Sequence, residues 1–387
     1  MNIKNFVKES ARHVLMFSYY HTRKRNEKSV YFASFSGTQY SDSPKYVSEK
    51  LHELEPDIKI VWSVPDKLKN VIPSYVTTVS PQSIESIKAQ AQASAWVFNG
   101  VLPYGTYKGK NTFYVQTWHG DRAFKQIGHD AYSSMGRKHY SGYAKYVEPK
   151  ECDLFTVAST FGKKMIQSAF GYNGEFLDIG IPRNDILVNA DKNLEKIKKI
   201  KKSLGIADTT KILLFAPTFR DHSADKQNSV VNLSDVLNIL DDKGKWVCLV
   251  RAHALSSGID LKNNSDNRLI DATGYPDMAE LLLVSDCLVT DYSSSAQDFI
   301  LMNKPVVLAQ YDIEEYTHKS RSLYYDPMET GFLIAHNQEE IEKIFSHLDE
   351  YDHVAISKKV QQFYGMHEGG NSTQKVCELI IENCKSK

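Results

Sequence analysis

The residues best placed to do chemistry stand where apolar runs end. Gln116-Thr117-Trp118-His119-Gly120 follows the run Phe113-Tyr114-Val115. An imidazole at the point where a strand gives way to a loop can exchange a proton with a bound substrate, and Gly120 lets the chain turn and a ligand come close. The competing reading is a core histidine packed between Trp118 and Phe113, and this stretch alone leaves both open. A second group is Thr290-Asp291-Tyr292-Ser293-Ser294-Ser295, after which Phe299, Ile300 and Leu301 mark a helix. Hydroxyls and unpaired N–H groups at a helix start make an anion site, although serine there is also an ordinary cap. Arg220 and Arg251 end neighbouring predicted strands in the same half of the chain. Their convergence with the serines on one sheet edge favours phosphate over simple capping.

Other chemistries lack their signatures. There is no Gly-x-x-x-x-Gly-Lys-Ser/Thr loop, no Gly-x-Gly-x-x-Gly after the first strand and no Gly-x-Ser-x-Gly elbow. The histidines show no His-x-x-x-His spacing, and Cys152, Cys248, Cys287, Cys377 and Cys384 are scattered. Asp221 and Asp291 could approach a diphosphate-bound Mg²⁺, but carboxylates at strand ends as often orient an arginine or cap a turn. No metal site is assigned. Lys+Arg 47 balances Asp+Glu 47, so nucleic acid is not an expected partner. Reduced, scattered cysteines suit a cytoplasmic protein.

These residues need a scaffold of strands alternating with helices. Apolar runs at 29–35, 58–62, 95–98, 113–115, 153–158 and 175–180 read as strands of one half, and those at 211–217, 246–250, 287–290 and 305–309 as strands of another. Helical patterns fall between them, which predicts parallel sheets whose ligands gather at the carboxyl ends of strands. The 387 residues exceed one compact core. The expected α/β architecture is two Rossmann-like, doubly wound lobes around a cleft, at 29–188 and 189–370, with a C-terminal helix at 371–387. Residues 121–150 interrupt the rhythm with basic residues and tyrosines, suited to lipid headgroups or a phosphate-bearing polymer, or to a solvated excursion.

Residues 1–28 form a basic amphipathic helix, with Ile3, Val7, Val14 and Phe17 near one face, Lys4, Lys8 and Arg12 on another, and Arg23-Lys24-Arg25 following. The pattern fits an interfacial helix on an anionic membrane surface and equally a helix packed on its own domain. No apolar run reaches the roughly 18 residues of a membrane span.

Taken together, Gln116-Thr117-Trp118-His119-Gly120, Gly180-Ile181-Pro182-Arg183-Asn184-Asp185, Ala216-Pro217-Thr218-Phe219-Arg220-Asp221, Arg251-Ala252-His253, Thr290-Asp291-Tyr292-Ser293-Ser294 and Gly369-Gly370-Asn371-Ser372-Thr373 resemble, in order and spacing, the CDP-glycerol glycerophosphotransferases. That family includes teichoic-acid primases and polymerases. The resemblance implies a GT-B fold, peripheral association with the cytoplasmic face of the membrane, and transfer of a polyol phosphate from CDP-glycerol or CDP-ribitol to a lipid-linked glycan or polymer. It implies His119 as general base and His253 as a second essential histidine near the donor diphosphate. Thr218, Arg220, Asp221, Arg251, Asp291, Tyr292, Ser293, Ser294 and Ser295 fall to the donor side, and Gln116, Trp118, Gly120 and Asp130 to the acceptor side. The alternatives are a GT-B glycosyltransferase using a nucleotide sugar and a non-catalytic phosphopolymer-binding protein on the same fold.

Overall fold

The computed structural model describes residues 3–22, 26–134, 148–218, 231–251, 265–317 and 322–385. The chain divides into two compact units. One comprises Met1–Asp121, His139–Asp185 and His367–Lys387, the other Arg122–Lys138 and Ile186–Met366.

In the first unit the strands are β1 (Asn26–Ala33), β2 (Lys59–Ser63), β3 (Thr77–Val79), β4 (Ala93–Phe98), β5 (Phe113–Gln116), β6 (Leu154–Val157) and β7 (Glu175–Asp178). They form one sheet in the order β3-β2-β1-β4-β5-β6-β7, every pairing parallel. β4 is buried at every position, as its run of small and aromatic apolar residues requires of a strand covered on both faces. The order reverses between β1 and β4, which is where an open parallel sheet leaves a crevice at its carboxyl edge. Helix α1 (Ile3–Thr22) packs on α3 (Ile84–Gln92), burying Met16 and Arg12, whose guanidinium donates to Gln90 Oε1 at 2.5 Å. Helix α2 (Asp42–Leu54) buries Val47 and Leu51, one turn apart, and leaves Leu54 exposed.

The second unit has β8 (Lys211–Phe215), β9 (Trp246–Val250), β10 (Leu269–Asp271), β11 (Cys287–Thr290), β12 (Val306–Ala309) and β13 (Leu333–Ala335), in the order β10-β9-β8-β11-β12-β13, again all parallel. Its reversal lies between β8 and β11.

Contiguous lobe boundaries do not describe these units. Segment 122–138, expected in the first lobe, belongs to the second unit. There Gln126 N–H donates to the Ser322 carbonyl at 2.9 Å, Tyr324 N–H to the Phe124 carbonyl at 2.8 Å, and Lys125 bridges Leu323. The C-terminal helix Ser372–Lys385 is not a separate piece either. Its Val376, Cys377, Ile380 and Cys384 complete the first unit's core beside Val47, Leu51, Ala95 and Val97. The strands β3, β10 and β13, three residues each at sheet edges, have no counterpart in the expected set. The basic tyrosine-rich stretch lies outside the described residues over 135–147.

Candidate active site

His119 follows β5 by three residues, and the strands flanking the reversal supply its surroundings. From the end of β4, the Asn99 carbonyl lies 2.7 Å from His119 Nδ1. A carbonyl can only accept, so Nδ1 carries the proton and Nε2 keeps its lone pair. From the loop after β1, the Phe35 ring lies 5.6 Å from the imidazole, and Trp118 stacks on it at 4.3 Å.

His119 is exposed as a residue, although Phe35 and Trp118 crowd its ring. Desolvation, the largest influence, lowers its pKa; the bond to Asn99 and the charge of Asp42 raise it, and the charge of Arg183 lowers it. The exposure of the residue limits how far desolvation can act, but the net direction is downward, which favours the neutral imidazole.

The loops that hold this ring are strained. Phe35 (φ 46), Ser36 (φ 59), Asp42 (φ 62) and Trp118 (φ 47) are four of the six non-glycine residues with positive φ among the described residues, and Gly120 (φ 146) adjoins them. Such conformations cost about 1–3 kcal/mol each and persist only where surroundings enforce them. Here Gln116 does part of that work. Its Nε2 donates to the Gly100 carbonyl at 2.9 Å and Tyr114 Oη at 2.7 Å, while its Oε1 accepts from Trp118 N–H at 2.9 Å. Asp121 ties the far side of the loop down, its Oδ2 accepting from Ala158 N–H at 2.8 Å and Ser159 Oγ at 3.1 Å.

Asp42 opens α2 and meets the buried Arg183, whose Nη1 lies 3.4 and 3.3 Å from its two carboxylate oxygens. Arg183 N–H also donates to Ser43 Oγ at 3.4 Å. The flanking residues are anchored by the closing motif. Glu368 accepts from Ile181 N–H at 2.9 Å and Asn184 Nδ2 at 2.8 Å, and Asp185 accepts from the N–H groups of Ser372 and Thr373 at 3.1 and 2.7 Å. Asn99, Asp42 and Arg183 were not among the expected site residues. The available signal was Asn99-Gly100 directly after the apolar run Ala95-Trp96-Val97-Phe98, a polar amide at a carboxyl strand end.

In the second unit, three of the expected donor-side groups leave the same sheet edge. Thr218 follows β8, Arg251 follows β9 and Asp291 to Ser295 follow β11. Asp291 Oδ1 accepts from Thr218 N–H at 2.8 Å, Thr218 Oγ1 at 2.6 Å and Tyr292 N–H. That carboxylate oxygen organises the strand ends around the reversal. Tyr292 is a core residue, fully buried, stacked on Tyr316 at 3.9 Å with its hydroxyl 3.1 Å from Asp312. Ser293 and Ser294 are half-buried. Ser293 Oγ accepts from Ser295 N–H at 3.3 Å and Ser295 Oγ at 3.0 Å, so one serine is partly occupied within the turn that leads into the short helix Ser295–Phe299. Arg251 donates to Met278 Sδ at 3.4 Å, and burial lowers its pKa against the opposing charge of Asp277. Asp130 also falls in this unit, accepting from Tyr324 Oη at 2.8 Å, and so does not share a unit with His119. Arg220, Asp221 and His253 lie outside the described residues. Among the described residues no group of three His, Cys, Asp or Glu side chains could hold a metal ion.

Residues 15–382 match the family model described as CDP-Glycerol:Poly(glycerophosphate) glycerophosphotransferase. The chain is 30% identical to the teichoic acid glycerol-phosphate transferase of Staphylococcus aureus, covering 98% of this chain and 100% of that one. It is 33% identical to the teichoic acid poly(glycerol phosphate) polymerase of Bacillus spizizenii, over 92% and 93%. Against the polymerase of Staphylococcus epidermidis it is 31% identical over 93% of its own length but spans only 51% of that longer protein. Among solved structures, the wall teichoic acid polymerase TagF superposes with a TM-score of 0.84 at 29% identity, covering 100% and 99% of the two chains. A variant of TagF soaked with CDPG superposes with a TM-score of 0.83 at 28% identity. Its sheet orders, its motifs and these likenesses agree: the chain has a GT-B-like α/β fold and belongs to the CDP-glycerol:poly(glycerophosphate) glycerophosphotransferase family.

Proposed function

We propose that this chain transfers glycerol phosphate from CDP-glycerol to a hydroxyl at the end of a lipid-linked acceptor in teichoic-acid synthesis, with His119 as the general base. The observation that carries the reading is the 2.7 Å contact between His119 Nδ1 and the Asn99 carbonyl, which leaves the Nε2 lone pair for a substrate proton. The acceptor hydroxyl gives its proton to Nε2 while its oxygen attacks the β-phosphorus of the donor. The bond from that phosphorus to the bridging oxygen breaks, and CMP departs with the electron pair. Phosphoryl transfer of this kind needs positioning and charge neutralisation more than covalent help. Arg251 and the hydroxyls of Thr218, Ser293 and Ser294 serve the diphosphate, together with Arg220 and His253. Gln116, Trp118 and Gly120 serve the acceptor side by fixing the His119 loop. The protein works on the inner face of the membrane, which the exposed apolar face of α1 supports.

Incubation with CDP-glycerol and with CDP-ribitol, each against a short lipid-linked acceptor, tests the donor by CMP release and product mass. His119→Ala should lower turnover about 10²–10⁴-fold, the usual worth of a general base, and leave donor affinity by calorimetry unchanged. Collapse of donor affinity in that variant would make His119 a binding residue instead.

A further inference from the structure

Asn99 is fully buried at the carboxyl end of β4, and its hydrogen-bonding groups are divided between two loops. Its carbonyl accepts from His119 Nδ1 at 2.7 Å, and its side-chain Oδ1 accepts from Phe35 N–H at 2.7 Å. The second bond settles which way the amide points, because only its oxygen can face an N–H. Nδ2 then has two protons to donate and finds no partner among the described residues. A buried donor left unmet is costly and uncommon, and in a native site it calls for a ligand or an ordered water. The Phe35 backbone it holds is in the left-handed region (φ 46), and the Phe35 ring lies 5.6 Å from the imidazole. One residue, through its backbone carbonyl and its side-chain amide, therefore joins the base, the aromatic wall and an unused donor.

A terminal glycerol phosphate presents two neighbouring hydroxyls. If one loses its proton to His119, the other still needs recognition, and the unmet amide N–H of the residue that holds the base is available for it. We propose that Asn99 is a positioning residue of the acceptor subsite, its Nδ2–H donating to the oxygen of the hydroxyl adjacent to the one His119 deprotonates. The inference rests on His119 acting as the base toward a polyol acceptor. It adds a reader of the second hydroxyl, and so a reason for the enzyme to prefer a diol end.

The test compares two acceptors, one ending in glycerol phosphate and one whose terminal unit carries a single hydroxyl, using the full chain and CDP-glycerol. The wild type should lose about tenfold in kcat/KM on the single-hydroxyl acceptor, the worth of one buried hydrogen bond. Asn99→Asp keeps an oxygen for Phe35 N–H and the carbonyl for His119 but replaces the Nδ2 donor. It should lose about tenfold on the diol acceptor and show no further loss on the other, with donor affinity unchanged. Discrimination between the acceptors that stays as large in Asn99→Asp as in the wild type overturns the proposal, and so does a wild type that fails to discriminate. If the buried carboxylate lowers the folded fraction, the same ratio in Asn99→Ala decides, since a ratio within one variant does not depend on the amount of active enzyme. Failure of the base reading is separate: it would appear as undiminished turnover in His119→Ala, whatever the Asn99 ratio.

Discussion

His119 keeps its lone pair on Nε2 because Nδ1–H donates to the Asn99 carbonyl, and two nearby charges of opposite sign adjust how readily the ring protonates. Its pKa is pushed below the ordinary 6.5, chiefly by desolvation. A base works only when unprotonated, so a lowered pKa keeps it active to lower pH, and the acid-side fall of kcat/KM should begin below pH 6.5. Asp42 raises that pKa and Arg183 lowers it. Asp42→Asn should therefore move the acid limb to lower pH, and Arg183→Gln should move it to higher pH. Displacement of both limbs in one direction, in pH profiles of CMP release, would mean that the pair acts through loop geometry and not through charge. Of these residues only His119 was legible in sequence as a chemical group. Asp42 and Arg183 lie 141 positions apart and meet only because α2 begins beside the turn after β7, a tertiary fact that no local pattern encodes.

At the scale of elements, the runs read as strands at 29–35, 95–98 and 211–217 fall on Asn26–Ala33, Ala93–Phe98 and Lys211–Phe215, because strands buried on both faces are nearly continuous apolar runs. The first strand begins three residues earlier, in a polar stretch expected to belong to the basic helix. The edge strands Thr77–Val79, Leu269–Asp271 and Leu333–Ala335 were not, since three residues carry too little pattern to separate strand from loop. The placement of 122–138 and of the C-terminal helix was equally hidden, because it depends on which partner each packs against. The helix Thr160–Phe170 illustrates how such packing reaches the site. Ser159 caps it by accepting from Gly162 N–H at 2.8 Å, and Gly171 ends it at φ 68. A Cβ on Gly162 would lie 2.4 Å from Asp121 Oδ2 and 2.5 Å from the Asp121 backbone oxygen. Asp121 follows Gly120 and ends the His119 loop, so the intrusion falls on backbone that cannot simply rotate away. Gly162→Ala should cost about 1–3 kcal/mol of overpacking, more than the up to ~1 kcal/mol that alanine contributes as a helix former. Thermal denaturation should show a lower Tm and assays a lower kcat. Gly274→Ala, where a Cβ meets nothing within 4 Å, is the control and should leave both unchanged.

At the scale of the whole molecule, formal charge sums to zero, and no described helix is long and apolar enough to cross a membrane. The proposed contact with a bilayer would then rest on a local surface. Helix α1 is the candidate, because packing on its own unit leaves an apolar face exposed. One face packs on α3 through Met16 and Arg12, while Phe6, Val7, Val14 and Phe17 stand exposed by 54%, 60%, 64% and 48%. Exposed apolar side chains of that size on one helix of a folded unit are unusual without a partner, and the lipid-linked acceptor proposed above makes a membrane surface the partner to test. Phe6 and Val14 make the sharper probes, since Phe17 also touches Tyr107 and His21 through its ring. Phe6→Glu combined with Val14→Glu should abolish co-sedimentation with vesicles containing anionic lipid, because both apolar anchors become charges repelled by the surface. Turnover of a short soluble acceptor should be unaffected, as both side chains are exposed on the surface of α1. Unchanged sedimentation would remove α1 as a membrane contact, and equal loss on the soluble acceptor would show that the helix supports the fold of its unit instead.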